Sequence, residues 1–230
     1  MAKELEEGRR QAIQAERLRS WTDMARRVAH ELKNPLTPMR MAADNVSRLD
    51  GRTAQEAGAV LREEIGRLDE MARTFSQFGK MPEGPPSEVD LVELLRSLVD
   101  QHDGAGVSLE LISTPDLPRI RGHYDALLRS FRNLLLNAMD AAGPEGVVEL
   151  RVFQETDLLH IEIRDNGEGI AEEHLDQIWE PDFTTKSRGT GLGLPLVRQT
   201  IAIHKGTVDG RNHPDGGAVF SVELPVHGIR

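Results

Sequence analysis

The chain has 230 residues, enough for two modest domains or one large one with a real core. A charged fraction of 29% beside an apolar fraction of 38% marks a globular chain, and a formal charge of −10 argues against a general nucleic-acid binder, which would carry a basic face. The lack of cysteine excludes disulfides, thiolate zinc sites and cysteine nucleophiles, and suits a reducing compartment.

No run of about 18 apolar residues is present, and the N-terminus lacks the apolar stretch of a signal peptide. The expectation is a soluble chain that makes no membrane contact of its own.

In chain order, residues 3–19 are charged and helix-prone. From Leu18 the apolar residues fall at Leu18, Trp21, Ala25, Val28, Leu32, Leu36, Met39, Ala43, Val46 and Leu49. Intervals of three and four are those of a helix in a bundle or coiled coil. The pattern stops at Asp50-Gly51-Arg52-Thr53, where Gly51 can leave the helix and Thr53 with Glu56 reads as a capping box. A second helix follows, carrying Leu61, Ile65, Leu68, Ala72, Phe75 and Phe78. Such a hairpin buries its two stripes poorly alone. Pairing two hairpins into a four-helix bundle covers them, so a homodimer is expected, the competing possibility being a hairpin docked on its own chain.

Within the first helix, His30-Glu31-Leu32-Lys33-Asn34-Pro35-Leu36-Thr37-Pro38 breaks the pattern. A proline inside a helix loses a hydrogen bond and kinks the axis, at about 3 kcal/mol, so Pro35 suggests a bend beside a reactive site. His30 falls on the solvent side of the seam, and Asn34 lies one turn along the same face. Glu31 adjoins the histidine in sequence but needs a favourable rotamer to reach it.

Met81-Pro82-Glu83-Gly84-Pro85-Pro86 cannot continue the helix. The expected organisation is a helical hairpin over 1–81, with 1–20 as a coiled-coil extension, a linker over 82–86, and a second domain over 87–230. In that domain 91–101, 123–142 and 193–204 read as helices. Residues 107–112, 147–153 and 158–165 read as strands, and 207–209 with 218–224 as a closing hairpin. Strands and helices that do not strictly alternate predict an α/β sandwich, one mixed sheet covered by helices.

Three motifs there carry chemistry. Asn133 and Asn137 lie one turn apart among leucines, where unpaired amides would be costly, and an amide oxygen is a hard ligand suited to Mg²⁺. Asp165-Asn166-Gly167-Glu168-Gly169 ends a strand in which Asp165 shares a face with Leu159, Ile161 and Ile163. An acid at the end of a buried face needs a donor, and the exocyclic amine of adenine would serve. Gly189-Thr190-Gly191-Leu192-Gly193-Leu194 leads into a helix whose N-terminal N–H groups suit phosphate, without the lysine ending of a P-loop. Between the last two, Phe183-Thr184-Thr185-Lys186 reads as a polar, mobile lid whose lysine could reach phosphate.

These motifs, in this order, resemble the sensor histidine kinases of two-component systems over nearly the whole chain. The segment from His30 to Leu36 is similar to the H box of that family, and 133–137 to its N box. Residues 165–169, 183–186 and 189–194 are similar to its G1, F and G2 boxes. The stretch from Trp21 through Thr37-Pro38 resembles the nitrogen-regulation subgroup. The resemblance implies a dimerisation and phosphotransfer hairpin followed by a GHKL-type ATP-binding domain. It implies His30 as phospho-acceptor, Glu31 as its acid/base partner, and Asn34 as the residue that positions water when a phosphorylated partner is dephosphorylated. It gives Mg²⁺ to Asn137 with Asn133 nearby, and the adenine amine to Asp165. Gly167, Gly169, Phe183, Thr184, Thr185, Lys186, Gly189, Thr190, Gly191, Leu192 and Gly193 complete the implied ATP site.

The implied partners are a second copy of the chain and the receiver domain of a response regulator. The implied location is the cytoplasm, either as a soluble kinase or as the soluble part of a membrane-anchored sensor. Two positions depart from the common family pattern. Met139-Asp140-Ala141 follows the second asparagine where many members place Lys-Tyr, and Asp182 stands where an aromatic commonly precedes the F-box phenylalanine. An ATPase switch without a phosphorylated histidine, a non-enzymatic scaffold and a protein acting mainly as phosphatase are the competing readings.

Overall fold

The computed structural model describes residues 39, 41–42, 57–62, 64–66, 68, 85–102, 104, 106–181, 183–186 and 191–227. By its internal contacts the chain divides into two units, Met1–Met81 and Pro82–Arg230. In the first, residues 57–62, 64–66 and 68 are helical, as are 39 and 41–42. His30, Glu31, Asn34, Pro35, the turn at Gly51 and residues 82–84 of the expected linker lie outside the described residues.

The second unit is built on a five-stranded mixed sheet in the order β2-β4-β5-β7-β6. Its strands are β2 (Ser108–Ser113), β4 (Val147–Glu155), β5 (Leu158–Asp165), β6 (Thr207–Asn212) and β7 (Ala218–Pro225). β2 runs parallel to β4, and every other neighbour is antiparallel. In β4 the alternate residues Val148, Leu150 and Val152 are buried, and in β5 Leu159, Ile161, Ile163 and Asp165. That period of two means one face of the sheet is covered and the other faces outward.

Three helices supply the cover. α1 (Leu91–His102) opens at Asp90, whose Oδ1 accepts the N–H of Glu93 at 3.1 Å, the usual N-cap bond. It turns Leu91, Leu94, Leu95 and Leu98 inward, and His102 Nδ1 closes its last turn on the carbonyl of Leu98 at 2.8 Å. α2 (Tyr124–Ala142) buries Leu127, Phe131, Leu134, Leu135 and Ala138, and ends at Gly143, where φ is +69°. α3 (Gly193–Ile203) buries Pro195, Val197 and Ile201. The α/β sandwich expected from the sequence is the architecture found.

Two short strands were not anticipated. β1 (Ser87–Val89) pairs antiparallel with β3 (Ile120–Gly122), outside the main sheet. Three residues are too few for a period of two to register. β6 also continues to Asn212, beyond the expected 207–209, because Gly210 and Arg211 still pair with Phe220 and Val219.

Candidate active site

Asp165 is the last residue of β5 and only 1% exposed, on the face it shares with Leu159, Ile161 and Ile163. A buried carboxylate is expensive unless hydrogen-bonded. Here Oδ1 accepts two backbone N–H groups, from Gly167 at 2.9 Å and from Ala218 at 3.2 Å. Gly217 approaches the Asp165 carbonyl so closely that a Cβ there would strike it. The acid is therefore held by its own turn on one side and by the start of β7 on the other.

The turn that follows is pinned at both ends by carboxamides. Asn166 Oδ1 accepts from the N–H of Val147 at 2.9 Å, while its own N–H donates to the Val147 carbonyl at 3.2 Å. Asn212 Oδ1 accepts the Ile170 N–H at 2.7 Å, and its Nδ2 donates to the Ile170 carbonyl at 2.6 Å. A side chain thus takes the place of a paired backbone, fixing the path through Gly169, where φ is +79°. Gly167 lies against the carbonyl of Ala141, so a side chain there would push the turn off the end of α2.

The C-terminal half of α2 carries the two amides. Asn133 and Asn137 are half-buried, between the fully buried pair Leu134 and Leu135 and the buried Ala138. α3 starts beside them: a Cβ on Gly193 would sit 3.9 Å from the Asn133 carboxamide. Leu192 gives α3 no side-chain cap, and a helix N-terminus of this kind attracts anions. Gly191, at φ +64°, delivers the chain to that end. Gly189, Thr190 and Asp182 lie outside the described residues.

The segment expected as a lid is in contact with α2. Lys186 Nζ donates to Asn137 Oδ1 at 2.9 Å and to Asp140 Oδ2 at 2.7 Å. Thr184 Oγ1 accepts the N–H of Lys186 at 3.1 Å, shaping the turn, and Thr185 is exposed. Phe183 packs on the core with its ring 5.0 Å from that of His174, so the segment is anchored at this end. The lysine expected to reach phosphate thus rests on the amide expected to hold metal.

This contact tests the donor set for a divalent cation. An amide oxygen and a carboxylate oxygen converge on one positive charge, and both are hard ligands of the kind Mg²⁺ takes. Among the described residues no cluster of three or more His, Asp or Glu could hold a metal by itself. Mg²⁺ fits here because it draws its remaining ligands from phosphates and water.

Asp140, Asn212 and Gly217 were not anticipated as site residues. Asp140 lies three residues beyond Asn137 on one helical face, a spacing that could have found it. Asn212 ends an exposed strand 42 residues from its partner, and nothing local marks it.

Two family models match the chain: the histidine kinase A phospho-acceptor domain over residues 20–84, and the histidine kinase-, DNA gyrase B- and HSP90-like ATPase over residues 122–228. The chain is 34% identical over 221 residues to the sensor histidine kinase ZraS of Klebsiella oxytoca, covering 93% of this chain and 48% of that protein. It is 30% identical over 240 residues to the nitrogen regulation protein NtrY of Azorhizobium caulinodans, covering 94% of this chain and 30% of that protein. The chain therefore spans about half or less of the length of these relatives. Among solved structures, the histidine kinase ThkA in complex with the response regulator TrrA matches in fold at a TM-score of 0.76 and 24% identity, over 91% of this chain and 63% of that one. With an α/β sandwich that gathers both asparagines, the buried aspartate and the glycine turns at one end, the chain belongs to the sensor histidine kinases.

Proposed function

We propose that this chain binds ATP with Mg²⁺, phosphorylates its own His30, and passes the phosphoryl group to an aspartate on the receiver domain of a response regulator. The observation that carries the reading is the meeting of Asp165, Gly167, Asn133, Asn137, Lys186 and Gly193 at the junction of β5, α2 and α3. Asp165 commits Oδ1 to two backbone donors, and its other oxygen, Oδ2, is the acceptor for the exocyclic amine of adenine. The open turn through Gly167 and Gly169 admits the base, and Gly189 to Gly193 with the start of α3 receives the phosphates. Phe183 to Lys186 close over them.

Asn137, with Asn133 nearby, would hold Mg²⁺, which offsets negative charge on the phosphate oxygens when bound. His30 attacks the γ-phosphoryl through a neutral ring nitrogen, the N–P bond forming as the bond to the β-phosphate oxygen breaks and ADP leaves; an ordinary imidazole with a pKa near 6.5 is largely unprotonated at pH 7. Glu31 accepts from the other ring nitrogen and stabilises the imidazolium that develops. Most of the acceleration is positioning and electrostatics. Asn34 positions water for the reverse duty, dephosphorylation of the regulator, and the NtrY likeness supports a place in the nitrogen-regulation subgroup.

The organisation that serves this chemistry is a phosphotransfer hairpin over 1–81, a linker over 82–86 and an ATP-binding domain over 87–230. A homodimer completes the hairpin: Ile65, on its expected apolar stripe, is 53% exposed in the single chain. ThkA was solved with a response regulator, which supports the same class of partner here. Among the described residues no helix is long and apolar enough to cross a membrane, and the cytoplasm is the proposed location.

Nucleotide binding tests the pocket. Asp165→Asn keeps an oxygen for the two backbone donors but turns an amide N–H toward the adenine amine. The expected result is a folded protein with ATP binding weaker by about fivefold to a hundredfold, since an unmatched donor pair costs about 1–3 kcal/mol. Unchanged affinity would remove the adenine assignment.

A further inference from the structure

We propose that Asn137 and Asp140 together form a two-oxygen cation site, which Lys186 fills before nucleotide arrives and gives up to the divalent metal when it comes. This rests on the ATP reading above and adds Asp140 and the exchange to it.

Asn137 and Asp140 are three residues apart on α2, so their side chains leave the helix on one face. Their oxygens Oδ1 and Oδ2 lie 2.9 and 2.7 Å from the same ammonium nitrogen. Both oxygens thus converge on one point, the position a small cation would take. The ammonium comes from the segment 183–186, whose other end is fixed by Phe183 on the core. Only its lysine arm needs to swing for the site to change hands.

Exposure makes the exchange practicable. The side chains of Lys186 and Asp140 are 42% and 65% exposed, so the ion pair is weak and screened. A divalent ion gains more from the Asp140 carboxylate than a monovalent ammonium does. The same step frees the Lys186 ammonium beside the arriving phosphates, where it has a new anionic partner. Metal entry and release of the Lys186 arm are then one event, and Lys186 acts as a competitor of the metal.

The test uses the metal alone, on the full 230-residue chain without nucleotide. Mn²⁺ is titrated and its binding followed by water-proton relaxation for wild type, Lys186→Met, and the double variant Lys186→Met with Asp140→Asn. Removing the competitor should tighten Mn²⁺ binding measurably, by up to about fivefold, the ceiling set by an exposed ion pair of about 1 kcal/mol. The added Asp140→Asn change should cancel that gain. Equal binding by wild type and Lys186→Met overturns the proposal, as does a gain that survives Asp140→Asn. A parallel ADP titration separates the two levels: the Mn²⁺ pattern without ADP binding would sink the ATP reading and leave the cation site standing.

Discussion

His204 accepts the backbone N–H of His123 on its Nε2 at 2.9 Å, tying the start of α2 to the end of α3. The donor is a peptide N–H, so Nε2 must be unprotonated, and the ring proton sits on Nδ1, which donates to the Thr200 carbonyl at 2.8 Å. The ring is 1% exposed, and Gly122 makes room for it: a Cβ there would lie 2.9 Å from Cδ2. Burial lowers the pKa of His204 below the ordinary 6.5; the bond to Thr200 opposes this, and the neighbouring His123 adds to it.

A pH dependence follows from that shift. Because the folded pKa lies below the unfolded one, the stabilising contribution is complete above the ordinary value. It is lost as pH falls through 6.5 toward the folded pKa, where the unfolded chain binds the extra proton. Thermal unfolding between about pH 7.5 and 5.5 should show the wild-type midpoint falling with acid. His204→Gln should start lower, by about 1–3 kcal/mol for the orphaned groups, and show a flatter slope. An identical slope in the variant would remove His204 as the titrating group.

Two adjacent glycines should respond very differently to alanine. Gly216 has φ +96° with no atom within 4 Å of a built Cβ, so Gly216→Ala meets only backbone strain of about 1–3 kcal/mol. Gly217 has φ +80° and faces the carbonyl of Asp165, so Gly217→Ala adds a collision that must move β7 or the turn. Denaturant unfolding should show Gly216→Ala folded with reduced stability. Gly217→Ala should be still less stable and defective in nucleotide binding. Equal stability of the two would contradict the close approach.

Asn212 holds the turn after Asp165 through two bonds to Ile170. Asn212→Ala should keep the fold, because the strand end is exposed, while the turn loosens. Each neutral bond contributes about 1 kcal/mol, so ADP affinity should fall about five- to thirtyfold and the melting temperature by several degrees at most. Asn212→Asp, which keeps the acceptor but faces the Ile170 carbonyl with a second acceptor, should not restore binding. Wild-type affinity in Asn212→Ala would show that the turn is held without this residue.

What could be read in advance was whatever repeats locally. Asp165 was legible because a period of two puts it in line with Leu159, Ile161 and Ile163, and those residues are buried as that period requires. The long α2 was legible from its apolar spacing, to within one residue at its start. The ion pair of Lys186 with Asp140 was not, since 46 residues and a change of layer separate them. The Asn212 clamp escaped for the same reason, and the pairing of β1 with β3 because three-residue strands carry no periodic signal. In the sequence Asp140 stands out only as a departure from the family pattern. The structure turns that departure into a contact with the lid.

The most direct measurement is incubation of the chain with γ-labelled ATP and Mg²⁺, wild type beside His30→Gln, scored for label on the protein. The account predicts acid-labile, alkali-stable label on the wild type, none on His30→Gln, and ATP binding retained by the variant. Equal label on both proteins would place the acceptor elsewhere. No label on either, with ATP still hydrolysed, would contradict the kinase and leave an ATPase.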